Sequence, residues 1–110
     1  MLNISFAWTT SAFKNRSKTE TRRFWTPKYA TMFKPGVLFM GISKDFRAGG
    51  IRLHKAEVVF CFKEKLLHMS EESFIREGGK QFWENRDEYI TAMGGAERVP
   101  YVIRFQHLPL

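Results

Sequence analysis

An α+β domain built on a small, partly open β-barrel, with helices inserted between the strands, is the fold that this sequence predicts. Apolar and polar residues alternate near both ends of the chain, as they do in strands with one buried face. A long central segment changes the phase of its alternation, which is typical of strands that bend to close a small barrel. Pairs of glycines end two helix-like segments. The 110 residues suffice for one core, so a single domain spanning 1–110 is expected.

The first half of the chain alternates short strands with short helices. Thr9 and Thr10 suit the start of one helix, and Thr26 followed by Pro27 is typical of the start of another. The elements predicted here are a strand with Leu2, Ile4, Phe6 and Trp8 on its buried face, a helix over 11–15, an extended segment over 18–23, a helix over 27–33 and a strand over 37–42.

The second half begins with one long predicted strand over 51–63. Its apolar positions are first odd and then even, so a one-residue slip near His54 and Lys55 predicts a bulge; the even positions are Ala56, Val58, Phe60 and Phe62. Ser70 suits the N-cap of a helix that ends at Gly78-Gly79. A second helix ends at Gly94-Gly95 and is followed by a final strand over 99–105; one stripe of that helix holds Phe82, Arg86, Tyr89, Ile90 and Met93.

Positive charge is concentrated in one part of the chain. The segment from Lys14 to Lys34 holds seven basic residues and one acid, in a protein with a formal net charge of +7. Such a basic segment with aromatic neighbours is typical of binding to a phosphate-bearing, stacking ligand, although a solvated loop has the same composition. Nucleic acid is therefore the first partner to expect, and an acidic membrane surface the second.

Several classes of protein are disfavoured by composition. Cys61 is the only cysteine, so no intrachain disulfide can form. We expect Cys61 to be a small buried hydrophobic residue. The three histidines lack metal-ligand spacing, and neither a metal nor a cofactor is expected. A secretory leader and a membrane-spanning segment are not expected either, which favours a cytoplasmic location. The oligomeric state is left open.

Three residues are candidates for catalysis. Lys18 becomes a general base if burial or the neighbouring arginines lower its pKa, and the Thr21 hydroxyl becomes a nucleophile if a base lies within reach. Glu77 ends a predicted helix, where a carboxylate opposes the helix dipole, and residues that break a local rule are enriched at functional sites. Each also has a structural alternative, since an exposed basic strand contains Lys and Thr, and surface carboxylates commonly pair with Lys or Arg.

A larger set of residues is predicted to bind the ligand. Trp25, inside the basic segment, is the better candidate for stacking on a base, whereas Trp8 is expected in the core. The predicted contacts to phosphate and neighbouring groups are Lys14, Arg16, Thr19, Arg22, Arg23 and Lys28.

Four segments together resemble the ASCH family, whose domains are similar to the PUA (RNA-binding) fold. They are the Lys-Thr-x-Thr-x-Arg pattern in 18–23, the Phe-x-x-Gly turn at 33–36, the helix-with-acid at 70–79 and the closing strand at 101–105. The resemblance implies a barrel with a cleft for RNA or a nucleotide. Small bacterial members are amidohydrolases of acetylated cytidine, and it implies Lys18, Thr21 and Glu77 as the catalytic set. Other members are ribonucleases.

Three departures from the family pattern leave the substrate open. Arg22 follows Thr21 where the small hydrolases have an aliphatic residue, the insert at 25–32 is longer and more aromatic, and Val37 stands where an acid is usual. The extra arginine and aromatics favour a polynucleotide. We therefore expect an RNA- or nucleotide-binding domain, with an amidohydrolase of an acylated nucleoside, a metal-free ribonuclease and a basic protein-interaction domain as the alternatives.

Overall fold

The computed structural model describes residues 1–109 and has the α+β composition that the sequence predicts. The strands are β1 (Leu2–Ser5), β2 (Glu20–Arg23), β3 (Leu38–Ile42), β4 (Arg52–Lys63) and β5 (Tyr101–His107). The α-helices are α1 (Thr10–Lys14), α2 (Pro27–Ala30), α3 (Glu71–Arg76) and α4 (Arg86–Ala92). Short 3₁₀ turns span Ala7–Thr9, Phe46–Ala48, Leu66–His68 and Gly79–Gln81. No helix within 1–109 combines the length and the apolar character needed to cross a bilayer.

The five strands form one mixed sheet that curls into a half-barrel. Their order is β1-β3-β4-β5-β2, with β1 and β3 parallel and the other three pairs antiparallel. β1 and β2 are therefore the two edges of the sheet. The Arg23 side chain, at the end of β2, donates a hydrogen bond of 2.6 Å to the Ser5 carbonyl at the end of β1. A side chain thus bridges the gap where a closed barrel would have paired strands.

Two bulges bend the long strand β4. Against β3, the pairing passes from Met40–Lys55 to Ile42–Arg52, so β4 contributes one extra residue in the stretch where the sequence predicts a slip. Against β5, a second extra residue stands at Val59. This bulge reverses the faces of the residues that follow it.

The predicted burial of Phe60 and Phe62 is wrong because of the second bulge. Cys61 takes the inward position and packs against the core, while Phe62 remains 38% exposed and the Phe60 ring lies under the Arg104 guanidinium at 4.6 Å. Phe60, Cys61 and Phe62 are all apolar, so the sequence allows either Cys61 or the two phenylalanines to face the core. Only the pairing with β5 selects between these two alternatives.

Two hydrophobic clusters hold the fold together. The first fills the half-barrel and consists of Ile4, Phe6, Phe13, Phe33, Phe39, Ala56, Val58, Ile103 and Phe105. The second lies among the helices and consists of Leu66, Met69, Phe74, Trp83, Tyr89 and Ile90. Gly41 permits the close contact between α1 and the sheet, because any Cβ at this position would overlap the Phe13 ring. The candidate site lies between the two clusters.

Side chains cap three of the helices. The Thr26, Ser70 and Asn85 side chains accept hydrogen bonds from the backbone N–H groups of Tyr29, Ser73 and Glu88. The first two caps confirm the helix starts predicted from the sequence. The first strand, by contrast, ends at Ser5 and gives way to a 3₁₀ turn, so the prediction that Trp8 is a core residue is wrong: its side chain is 63% exposed.

Candidate functional site

A pocket of about 200 Å³ opens between the 3₁₀ turn Ala7–Thr9, strand β2 and helix α4. It is smaller than the roughly 300–1,000 Å³ of sites for drug-sized ligands, so it suits a single ring system. Its walls combine charged groups on one side with aromatic rings on the other. The residues that line these walls include Trp8, Lys18, Thr21, Arg22, Arg23, Glu77, Trp83 and Tyr89.

Lys18 and Glu77 form a buried pair at this pocket. The Lys18 Nζ lies 2.9 Å from Glu77 Oε1 and 2.7 Å from the Glu77 backbone carbonyl oxygen. Both residues are 2% exposed. Glu77 is the residue that ends α3, and the bond from Lys18 to its carbonyl satisfies an acceptor that the helix end leaves free. The pair therefore both closes the helix and places an amine beside a carboxylate.

The environment of Lys18 favours its neutral amine more than water does. Burial lowers the pKa of the Lys18 ammonium below its ordinary value, and the nearby Arg23 and Arg22 lower it further. The Glu77 carboxylate and its hydrogen bond act in the opposite direction. Burial has the larger effect, so the pKa falls overall, as a lysine that serves as a general base requires.

Arg22 is enclosed by three carboxylates. Its guanidinium contacts Glu77 Oε2 at 3.0 Å, Glu20 Oε2 at 3.3 Å and Glu64 Oε1 at 2.9 Å. Although burial acts to lower it, Glu77 and Glu20 hold the pKa of Arg22 above its usual value. The Arg22 side chain is 0% exposed, so its N–H groups cannot reach the phosphate of a ligand in solution. Its contact with Glu77 holds that carboxylate in place.

Thr21 is bound by a neighbouring guanidinium. The Arg23 Nε–H donates to Thr21 Oγ1 at 3.1 Å, and Arg23 also holds the Ser5 carbonyl. Because the donor occupies one lone pair of the hydroxyl oxygen, the Thr21 proton is left to be given to a base. The positive charge beside the oxygen also favours its deprotonated form. Thr21 is 3% exposed and lines the pocket.

Aromatic rings form the mouth of the pocket. The Trp8 ring packs in an edge-to-face arrangement with Trp83 and Phe82 at centroid distances of 5.1 Å and 5.3 Å, and the residue is 63% exposed. Ala7, just before it, has φ of +46°, a left-handed conformation that a residue with a Cβ rarely adopts. Such strain is concentrated at ligand sites. An exposed indole held in this way is suited to stack on a flat ring.

Tyr89 forms the inner wall between these two sides. It is 1% exposed, and burial together with the Glu77 charge raises the pKa of its phenol, so the hydroxyl keeps its proton. The hydroxyl lies beside the Glu77 carboxylate. Within residues 1–109, however, no group makes a hydrogen bond of acceptable geometry with it.

The structure brings together five of the residues that the sequence singles out and separates the others. Lys18, Thr21, Arg22, Arg23 and Glu77 line one pocket. The other predicted ligand-binding residues lie outside this pocket.

Lys14, Arg16, Thr19, Trp25 and Lys28 do not line this pocket. Lys14 and Lys28 are exposed beside two other grooves, and Arg16 donates a hydrogen bond of 3.0 Å to the Leu108 carbonyl. Thr19 bonds through its backbone to Arg76 and Phe105. Trp25 is half-buried and stacks on Phe33 at 4.3 Å, so one face of its ring is already occupied.

Sequence reasoning did not identify Trp8, Trp83 and Tyr89 as pocket residues. Tyr89 and Trp83 belong to the second hydrophobic cluster, so their apolar spacing indicates a core. Trp8 continues the alternation of β1, and only the turn at Ala7 removes it from that face. A tryptophan followed by two threonines that can begin a helix was the available signal that the strand ends early.

No cluster of three or more metal-ligating side chains occurs within residues 1–109. Comparison of the chain with protein-family models, with curated proteins and with solved structures finds no match.

Proposed function

We propose that this protein is an amidohydrolase whose substrate class is an acylated nucleoside such as N4-acetylcytidine. The single observation that carries the proposal is the buried contact of 2.9 Å between Lys18 and Glu77 in a pocket that also contains Thr21. Membership of the ASCH family and a PUA-like barrel belong to the same proposal. The curled five-stranded sheet and the convergence of the three residues that the family resemblance implies support them.

The chemistry assigns one role to each of the three residues. Neutral Lys18 takes the proton from the Thr21 hydroxyl, or from a water in its place, as that oxygen attacks the acyl carbon. The carbon–nitrogen bond then breaks, and the Lys18–Glu77 pair returns a proton to the leaving amine. If Thr21 is the nucleophile, a water cleaves the resulting ester and releases the carboxylic acid. Arg23, bound to Thr21, stabilises the negative charge on its oxygen.

The size and walls of the pocket favour a single nucleoside unit. A volume of about 200 Å³ has room for one ring system, and Trp8 presents an aromatic face at its mouth. Stacking of a base on an aromatic side chain contributes about 1–3 kcal/mol. The pyrimidine of the substrate would stack on Trp8 and direct its acyl group inward, toward Thr21.

The proposal is tested by turnover of N4-acetylcytidine, with release of cytidine followed chromatographically. Wild-type protein should be active, and Lys18→Ala, Thr21→Val and Glu77→Gln should each lose at least about 100-fold in kcat/KM, because each removes a group of the reaction. Lys80→Ala is the matched control, since Lys80 is exposed and lies outside the pocket. A folded Lys18→Ala variant with wild-type turnover would refute the assigned base.

Binding of RNA is the second candidate function, and a surface beside the pocket favours it. Lys14, Lys44, Arg47 and Arg52 are exposed, and none of them forms an ion pair within residues 1–109. The Thr10 hydroxyl bonds to both the Ala7 and Ser43 carbonyls, which joins this basic loop to the turn that carries Trp8. Free cations next to an aromatic pocket suit a chain of phosphates with one base turned inward.

Fluorescence anisotropy with a labelled single-stranded RNA tests the second candidate. Binding should weaken steeply with salt, and Arg47→Glu with Arg52→Glu should weaken it further, whereas Lys80→Glu, on an exposed position elsewhere, should not. Absence of binding at low salt would exclude it. Cleavage of the RNA, if absent from a DNA of the same sequence, would indicate a ribonuclease instead.

A further inference from the structure

Two of the buried polar groups that lack a partner belong to residues of the pocket. Within residues 1–109, the side-chain atoms of this kind are Arg22 Nε, Arg76 Nε and the Tyr89 hydroxyl. Arg22 and Tyr89 line the pocket, whereas Arg76 does not. Both are N–H or O–H donors, and an unpartnered buried donor is costly to a folded protein. Their presence at one pocket calls for an acceptor that arrives with the ligand.

The charge of the pocket indicates the nature of that acceptor. Its walls contain three cationic side chains, Lys18, Arg22 and Arg23, and one carboxylate, that of Glu77. Among these four lining side chains the balance remains positive even when Lys18 is neutral, and Glu20 and Glu64 contact Arg22 from outside the lining. Tyr89 and Arg22 lie close enough for the charge on each to act on the other. A negatively charged or strongly polarised oxygen is therefore the acceptor that both donors can share.

The other cationic donors of the pocket already have acceptors. The Arg23 guanidinium already donates to Thr21 Oγ1 and to the Ser5 carbonyl, and Lys18 Nζ donates to both oxygens of Glu77 that face it. Tyr89, in contrast, is a neutral donor that keeps its proton, held rigidly among Phe74 and Trp83 in the second hydrophobic cluster. A donor that is positioned before the reaction stabilises developing charge without reorganisation.

We infer that the Tyr89 hydroxyl, assisted by Arg22 Nε–H, forms an oxyanion-binding subsite that receives the acyl oxygen of the substrate. The inference rests on the proposed hydrolase function and adds a residue to it. During the attack on the acyl carbon, the carbonyl π electrons move to this oxygen, which then accepts the hydrogen bond of Tyr89. When the carbon–nitrogen bond breaks, the carbonyl re-forms in the Thr21 ester or, if water is the nucleophile, in the carboxylic acid, and the same contact holds that oxygen.

Tyr89→Phe is the variant that tests the subsite, since it removes the hydroxyl and keeps the ring. Its kcat should fall about 100-fold with little change in KM, because the lost contact strengthens in the transition state. Its melting temperature should change little, because within residues 1–109 the hydroxyl lies beside the Glu77 carboxylate without a hydrogen bond of acceptable geometry. Tyr101→Phe is the matched control, as Tyr101 is half-buried and lies outside the pocket.

A second readout separates this inference from the proposed function. Acetate alone is the probe, and its binding to wild type, Tyr89→Phe and Tyr101→Phe is followed by saturation-transfer NMR. Acetate binding that is lost only in Tyr89→Phe supports the subsite whether or not N4-acetylcytidine is hydrolysed. Hydrolysis with an unchanged kcat in Tyr89→Phe would overturn the subsite and leave the hydrolase intact.

Two further outcomes would also count against the subsite. If Tyr89 acted only by positioning Glu77, Tyr89→Phe would shift the pH profile of kcat/KM and leave acetate binding unchanged. If Tyr89 were purely structural, Tyr89→Phe would lower the melting temperature and leave kcat unchanged. Absence of both turnover and acetate binding in wild type would overturn the subsite and the proposed function together.

Discussion

Lys18 and Glu77, 59 residues apart in the chain, meet with the Lys18 Nζ at 2.9 Å from the Glu77 carboxylate and 2.7 Å from its backbone carbonyl. One comes from the segment before β2 at the sheet edge and the other from the end of α3. The contact joins the half-barrel to the helices that cover it. Because α3 packs against β2, both residues lie in the same small volume and exclude water from it.

The two members of this pair should contribute unequally to stability. Glu77→Gln removes the carboxylate that Lys18 contacts and one of the three that Arg22 contacts, whereas Lys18→Met leaves Glu77 paired with Arg22. We expect Glu77→Gln to lower the free energy of unfolding by about 3–5 kcal/mol, and Lys18→Met to lower it by less, because an uncompensated buried charge is the larger penalty. Urea unfolding measures both. A greater loss in Lys18→Met would contradict this reading of the pair.

Trp8 and Trp25 should respond to truncation in opposite ways. Trp8→Ala removes an indole that is 63% exposed, so we expect a loss of stability below about 1 kcal/mol and a rise in KM for N4-acetylcytidine of about 5-fold or more. Trp25→Ala removes a ring that stacks on Phe33, so we expect a loss of about 3 kcal/mol and an unchanged KM. Thermal unfolding and steady-state kinetics on both variants check the contrast. A raised KM in Trp25→Ala alone would place the stacking surface in the basic segment instead.

Ala7→Gly should stabilise the protein. The φ of +46° at Ala7 costs about 1–2 kcal/mol for a residue with a Cβ, and glycine adopts it freely. We expect the free energy of unfolding to rise by about 1 kcal/mol. Ala12→Gly, in the buried face of α1, is the control and should lower stability by about the same amount or more. An Ala7→Gly variant as destabilised as Ala12→Gly would show that the left-handed turn carries no strain.

Stability should fall as the pH drops from about 6.5 toward 4, because of two histidines that meet across strands β4 and β5 beside Phe13. His54 Nε2 lies 2.7 Å from His107 Nδ1, and His107 Nε2 lies 2.7 Å from the Lys18 carbonyl oxygen. His107 donates to that carbonyl, and with both rings neutral its other nitrogen accepts from His54. Burial, with His107 and Arg16 adding to it, lowers the pKa of His54 to about 4.

The sign follows from the number of protons bound. The unfolded chain, with an ordinary histidine pKa of about 6.5, binds more protons than the folded protein in this range, so the stabilisation is present above about pH 6.5 and is lost below it. Melting temperatures across this range measure the effect. His54→Gln, whose amide can still donate to His107, should reduce the slope, and His68→Gln, at an exposed position, should leave it unchanged. If the melting temperature of His54→Gln changed with pH as steeply as that of the wild type, other groups would cause the effect.

The elements were predictable wherever local chemistry decides them. The Thr26 and Ser70 caps and the slip near His54 appear in the structure at the positions that the sequence indicates. The final strand was predicted over 99–105 and is β5, Tyr101–His107, so its start lies two residues later. The bulge at Val59 was not predictable, because Phe60 and Cys61 are both apolar and either can face the core. Only the pairing with β5 decides between them.

The candidate site was predictable in its charged half. Lys18, Thr21 and Glu77 were named together because the resemblance to the ASCH family implies them, and Glu77 also breaks a local rule at its helix end. Trp8 and Tyr89 were not named as site residues, since an apolar residue in an apolar pattern indicates a core. Their position at the pocket depends on a left-handed turn at Ala7 and on the way α4 packs against the barrel, which are properties of the whole fold.

The location of the pocket between two separate hydrophobic clusters has a consequence for heating. Strand β2 and the segment before it supply Thr21 and Lys18 beside the first cluster, and the helices supply Glu77 and Tyr89 beside the second. Loosening of the helices would move Glu77 and Tyr89 away from Lys18 and Thr21 while the strands stay paired. Thermal inactivation should therefore come several degrees before the loss of the far-ultraviolet circular dichroism of the sheet, and a bound ligand should bring the two transitions together.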